Sequence, residues 1–116
     1  MMMVSPLLVI DVAHPPRRPE EVERALFEAW SEVRNSAVLR ILKIIHGHRS
    51  SGKGGTTREQ VRNWLFENRS HFKGIIEGES YTMFDQTVAS MRGETGPFDD
   101  RDLDAANPGI TIVWIR

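Results

Sequence analysis

A glycine-rich basic loop between an apolar run and a helix carries the clearest chemical signal in the sequence. The run from Leu39 to Ile45 stops at His46, and a helix is expected to begin at Thr57 after glycines, basic residues and hydroxyls. Glycine-rich backbone can converge its N–H groups on an anion, and a helix N-terminus favours negative charge. The pattern predicts a phosphate site. Its candidate ligands are Gly47, Arg49, Gly52, Lys53, Gly54, Gly55, Arg58 and Arg62.

Three residues near the predicted strand ends could transfer protons beside a bound phosphate. His46 titrates near neutral pH and lies where the apolar run meets the loop. Asp11 and His14 end the first apolar segment, and a carboxylate can orient an imidazole for acid–base chemistry. We therefore take Asp11, His14 and His46 as candidate catalytic residues. A packed structural role for His46, and a salt bridge or helix cap for Asp11, are the alternatives.

Two other kinds of site are compatible with the same loop. The residues from Gly47 to Lys53 satisfy the nucleotide-binding pattern G-x-x-x-x-G-K, but Gly54 stands where the magnesium-binding Ser or Thr is needed. His46 and His48 could chelate a metal, although no second ligand cluster accompanies them. A nucleotide-binding loop is therefore disfavoured. No cofactor is assigned, and a divalent metal stays an open option.

Composition and charge narrow the class of protein and its partners. The chain has 116 residues and no cysteine, which fits one domain and excludes disulfides and thiolate metal sites. The apolar segment from Val4 to Val12 is too short for a signal peptide or a membrane span, so we expect a cytoplasmic protein with no membrane partner. Residues 34–73 carry nine Lys/Arg and two acids, a local +7 in a chain of net −1. This asymmetry favours an anionic partner.

Hydrophobic periodicity predicts the elements that position these residues. We expect strands at 7–14, 39–45, 71–78 and 109–116, helices at 19–35 and from Thr57, and a short helix at 82–91. Thr57 and Gln60 fit a capping box. The order βαβαβ(α)β predicts an α/β two-layer sandwich, with a small mixed sheet and two main helices. Within the acidic insert at about 79–108, the segment "DDRDLD" is expected to be a solvated loop, with a decoy for the phosphate site as the alternative.

Several segments together resemble the Smr (small MutS-related) domain family. "IIHG" and the following "TREQVRNWL" are similar to the family's strand end and its L-R-x-x-V-x-x-W-L helix. "VIDVAH" lies where the family has an L-D-L-H-G strand, and "PEEVERALFEAW" and "GITIVWIR" are similar to its first helix and last strand. The resemblance covers residues 7–78 and 109–116 of a single Smr-like domain spanning 1–116.

The resemblance implies a fold similar to the C-terminal domain of the third bacterial translation initiation factor. It also implies binding of DNA or RNA, in structured or branched form, with endonuclease (nicking) activity. Ala13 stands where the family has its first-strand histidine, and His14 follows one residue later. The alternative is therefore a non-catalytic module that binds nucleic acid or a protein partner through the same basic surface.

Overall fold

The computed structural model describes residues 4–48 and 56–116, in which four strands form one mixed sheet. The strands are β1 (Leu7–Asp11), β2 (Ile41–Ile45), β3 (Phe72–Glu77) and β4 (Ile110–Ile115), in the sheet order β1-β2-β4-β3. β1 and β2 are parallel, as the strand–helix–strand pattern predicts, and β4 runs antiparallel to both β2 and β3. The α/β class and the small mixed sheet are therefore confirmed.

In the part of the chain that the structure describes, three α-helices connect the strands: α1 (Pro19–Arg34), α2 (Thr57–Glu67) and α3 (Gln86–Thr95). Short 3-10 turns cover Arg69–His71 and Gly78–Ser80. In α1, Pro19 stands in the first turn and the stripe Val22, Leu26, Ala29 and Val33 is buried, as its periodicity predicts. None of the helices in the described ranges is long and apolar enough to cross a membrane.

The start of α2 corrects a detail of the sequence prediction. Thr56, rather than Thr57, is the N-cap, and its hydroxyl accepts a hydrogen bond of 3.0 Å from the N–H of Glu59. Gln60 instead donates through Nε2 to the carbonyl of Pro19, 2.6 Å away, and so ties the start of α2 to the start of α1. Two adjacent threonines both fit the capping preference, and the backbone turn selects the first.

The sheet is covered on both faces. Alternate residues of β2 divide between two cores, with Leu42 and Ile44 packed beneath α1 and α2, and Ile41 packed against α3. Tyr81, Val88 and Met91 supply the second core. The prediction of a two-layer sandwich is therefore wrong in one respect, because the acidic insert forms a third layer.

The acidic insert is anchored by a buried lysine, so the solvated-loop prediction is also wrong. The Nζ atom of Lys43, on β2, lies 2.8 Å from Oδ1 of Asp100 and also forms an ion pair with Asp102. The hydroxyl of Tyr81 donates to the other oxygen of Asp100 at 2.9 Å. Burial lowers the pKa of Lys43, but its two carboxylate partners outweigh that effect and raise it. The short helix begins later than predicted because Asp85 caps it, which leaves Phe84 outside the helix and 98% exposed.

Candidate functional site

A surface cleft of about 870 Å³ lies where the first connection of the chain meets the end of β2 and the start of α2. Asp11 ends β1 and His46 follows β2, at neighbouring carboxyl ends of parallel strands. That edge of a parallel sheet is where α/β folds bind ligands. The cleft is lined by Ala13, His14, Pro16, Arg17, Pro19, Glu23, His46, Gly47, His48, Thr56, Thr57, Glu59, Gln60, Asn63, Trp64 and Glu67.

Asp11 and His14 form an imidazole–carboxylate pair at the rim of this cleft. β1 ends at Asp11, so the alternation of a strand does not continue to His14. The Asp11 Oδ1 atom accepts hydrogen bonds from the backbone N–H groups of Ala13 and His14, at 2.8 and 2.9 Å. These bonds fold residues 12–14 into a turn that brings the His14 Nδ1 atom to 3.0 Å from Asp11 Oδ2.

The electrostatics of this pair favour an oriented imidazole. Burial raises the pKa of Asp11, but the hydrogen bonds from Ala13 and His14 outweigh it, and the pKa lies below its usual value. The ionised carboxylate favours a hydrogen on His14 Nδ1, an assignment that follows from the hydrogen-bond network. The His14 side chain is 72% exposed, which leaves Nε2 accessible from the cleft.

His46 contrasts with His14 because both of its ring nitrogens contact the protein. Nδ1 lies 2.5 Å from the carbonyl oxygen of Gly47, which can only accept, and Nε2 lies 2.8 Å from the hydroxyl of Thr111. Only 3% of the residue is exposed, and this burial lowers its pKa. The ring is therefore a neutral group near pH 7 that holds the backbone at the end of β2.

The hydrogen bonds of His46 continue through two residues that the sequence motifs do not include. The Thr111 hydroxyl lies 3.1 Å from Glu77 Oε2, and the same carboxylate oxygen contacts Arg62 Nη2 at 2.8 Å. Glu77 Oε2 therefore accepts hydrogen bonds from both the Thr111 hydroxyl and the Arg62 guanidinium. No local sequence signal could identify Thr111 and Glu77, since they come from β4 and β3.

The predicted phosphate ligands divide into three groups. Gly47 lies in the cleft with φ +73°, and its backbone approaches Gly109, whose carbonyl accepts the N–H groups of His46 and Gly47. Arg58 and Arg62, on α2, lie outside the cleft lining and pair with Glu79 and Glu77. The remaining predicted ligands lie outside the described residues. These are Arg49, Gly52, Lys53, Gly54 and Gly55.

The charges of the cleft differ between its two parts. Arg17 lies beside His14, whereas the walls from α1 and α2 carry Glu23, Glu59 and Glu67. An anion would therefore be favoured at the histidine end rather than between the helices. No cluster of three or more metal-ligating side chains occurs within residues 4–48 and 56–116.

No family model, curated protein or solved structure matches the chain.

Proposed function

We propose that the protein is a nucleic-acid-binding, Smr-like domain that cleaves a phosphodiester bond in DNA or RNA. The observation that carries this proposal is the Asp11–His14 pair, whose histidine lines the same cleft as Gly47 and the capped start of α2. The predicted loop from Arg49 to Gly55 joins those two points along the sequence. The motif similarity to the Smr family supports the same function and a fold like that of the initiation-factor domain.

In the proposed reaction, the three candidate residues have different roles. His14 Nε2 accepts the proton of the attacking hydroxyl or water, while the ionised Asp11 stabilises the imidazolium that forms. The attacking oxygen then forms a bond to phosphorus as the bond to the leaving oxygen breaks. Cationic residues and N–H groups of the loop neutralise the phosphate. His46 acts on the backbone of Gly47 and does not transfer the proton.

A non-catalytic binding module is the second candidate. Two observations favour it: His46 has no free ring nitrogen, and Ala13 occupies the position of the family histidine. Ala13 packs beside Gly47, where a Cβ on the glycine would lie 3.9 Å from its side chain. In this case the cleft holds phosphate without cleaving it.

A combined cleavage and binding assay separates the two candidates. Supercoiled plasmid and structured RNA are incubated with purified protein across a salt series, with and without Mg²⁺, beside the variants His14→Ala and Asp11→Asn. We expect His14→Ala to lower the cleavage rate by roughly 10²–10⁴-fold while affinity changes only a few-fold, since proton transfer contributes in the transition state. Asp11→Asn should lower cleavage less.

The control is His71→Ala, which removes an exposed histidine that stacks on Trp30 away from the cleft. Equal losses of cleavage in His14→Ala and His71→Ala would overturn the catalytic assignment. Binding without any cleavage by the wild-type protein would establish the non-catalytic module. Absence of binding to either nucleic acid at low salt would reject the proposed function.

A further inference from the structure

Strand β1 forms one edge of the sheet, and half of its backbone groups face away from β2. Within the described residues, β1 pairs only with β2. The N–H of Val12 donates to the carbonyl of Ile45 at 2.9 Å, which shows that even-numbered residues direct their backbone groups toward β2. The residues that direct theirs toward the open side are Leu7, Val9 and Asp11.

Local contacts occupy the two ends of this open edge and leave its centre accessible. The Leu7 N–H donates to the hydroxyl of Ser5 at 3.2 Å, and the Asp11 carbonyl accepts from Arg17 Nη2 at 3.2 Å. Val9 lies between them and is 47% exposed. Its N–H and carbonyl are therefore available for pairing with another strand.

The opposite edge of the sheet carries features that discourage such pairing. β3 has a bulge between Phe72 and Gly74, and Lys73 lies within that irregularity. Charged side chains and bulges are the usual means by which edge strands avoid intermolecular pairing. β1 has no bulge, since its pairing with β2 is regular, and its single charged residue, Asp11, is the last of the strand after four apolar residues.

A groove of about 350 Å³ runs between this edge and α1. Ile10, Ala25 and Ala29 form its apolar part. Glu28 and Glu32, which are one helical turn apart on α1, also line it and are exposed. The other charged residues of the lining are Asp11 and Arg17, so the groove carries three acids against one cation. A segment that paired with β1 would place every second side chain toward these carboxylates.

We propose that the β1 edge and this groove bind an extended, basic segment of a partner protein by strand addition. Main-chain hydrogen bonds to Val9 provide the pairing, and Lys or Arg at alternate positions meet Glu28 and Glu32. A second copy of this chain fits less well, because the strand it would offer, Leu7–Asp11, contains no basic residue. The groove adjoins the cleft, since Arg17 lines both and Asp11 lines the groove, but the strand pairing does not depend on the proposed nuclease function.

Hydrogen exchange with a model peptide tests the pairing directly. The probe is a seven-residue peptide of alternating Val and Lys, and the control is the same peptide N-methylated at every backbone amide, which keeps its charge but loses its backbone donors. We expect the Val-Lys peptide to slow exchange of the Val9 amide at least about tenfold, while the Leu8 and Ile10 amides, already bonded to β2, change little. The N-methylated peptide should leave Val9 unprotected. Protection by both peptides, or by neither, would overturn strand addition.

A matched pair of charge variants tests the chemistry of the partner. Glu28→Gln/Glu32→Gln should weaken peptide binding at least about fivefold at low salt, since two rim ion pairs are lost. Glu20→Gln/Glu23→Gln removes the same charge from α1 outside the groove and should change affinity less than twofold. Equal weakening would show a general charge effect and reject the site. Val9 protection in peptide-free protein, together with a dimer in sedimentation, would assign the edge to a second copy instead.

Discussion

A charged pair on the acidic-insert face of the sheet is buried, whereas a pair beside the cleft is more exposed. On the acidic-insert face, the side chains of Lys43 and Asp100 are 7% and 2% exposed and bind each other. Beside the cleft, the side chains of His14 and Asp11 are 72% and 35% exposed and keep an accessible ring nitrogen. A buried charge must be fully paired to be tolerated, whereas an exposed pair retains the capacity to bind a ligand. The difference separates residues that hold the fold from those that are available for chemistry.

Removing Lys43 is expected to have the largest effect on stability. Lys43→Ala leaves the carboxylates of Asp100 and Asp102 buried without their cation, and we expect it to cost about 3–5 kcal/mol in the free energy of unfolding. Urea denaturation measures this. The control is Lys73→Ala, which breaks a half-exposed pair with Glu94 and should cost no more than about 1 kcal/mol. Similar losses in the two variants would mean that the Lys43 cluster does not anchor the insert.

Two of the histidines that line the cleft, His14 and His46, provide the next test. His46→Ala removes hydrogen bonds to Gly47 and Thr111 from a buried site, and we expect a loss of about 1–3 kcal/mol in unfolding free energy. His14→Ala should change stability by less than about 0.5 kcal/mol, because His14 is exposed. Thermal or urea unfolding of both variants measures the difference. Greater destabilisation by His14→Ala would reverse the roles assigned to the two rings.

How much of the structure can be predicted from the sequence depends on how far apart in the sequence the contacting residues lie. The buried stripe of α1 and the apolar pattern of β2 are local signals, and both elements occur where they were predicted. The turn from Asp11 to His14 is equally local. By contrast, Lys43 meets Asp100 across 57 residues, and Thr111 meets His46 across 65, so no sequence window contains either pair. The insert was misjudged because its acids are paired through tertiary contacts.

We expect stability to depend on pH over different ranges at the cleft and on the acidic-insert face. Burial lowers the pKa of His46 below its usual 6.5. Its contribution to the free energy of unfolding is therefore complete above pH 6.5 and is lost as the pH falls through the pKa of the folded state. Burial raises the pKa of Asp102, but Lys43 and Asn107 outweigh it and lower it below 3.8. Its contribution is therefore complete above pH 3.8 and is lost only in stronger acid.

We accordingly expect unfolding free energy to fall in two stages on acidification. His46→Asn should remove the stage that begins near pH 6.5 and leave the stage below pH 3.8 intact. Urea denaturation between pH 8 and pH 3 measures both. A pH profile of the His46 variant that coincides with the wild-type profile would show that a different group titrates in the upper range.

The smallest expected effect concerns the arginines of α2, which the sequence assigned to phosphate. Arg58 Nη2 lies 2.8 Å from Glu79 Oε2. The pKa of Glu79 is lowered by a hydrogen bond from the backbone N–H of Glu79 itself and by the positive charge of Arg58. A phosphate that used Arg58 would have to displace this carboxylate. If the proposed function is correct, we therefore expect Glu79, rather than the anchored aspartates of the insert, to compete with nucleic acid. Glu79→Gln should tighten binding roughly two- to fivefold at low salt, and Arg58→Gln should flatten the salt slope by about one.

The matched control is Glu94→Gln, which frees Lys73 from a comparable exposed pair. An equal gain from Glu79→Gln and Glu94→Gln would show that only net charge matters and that Arg58 does not contact the nucleic acid.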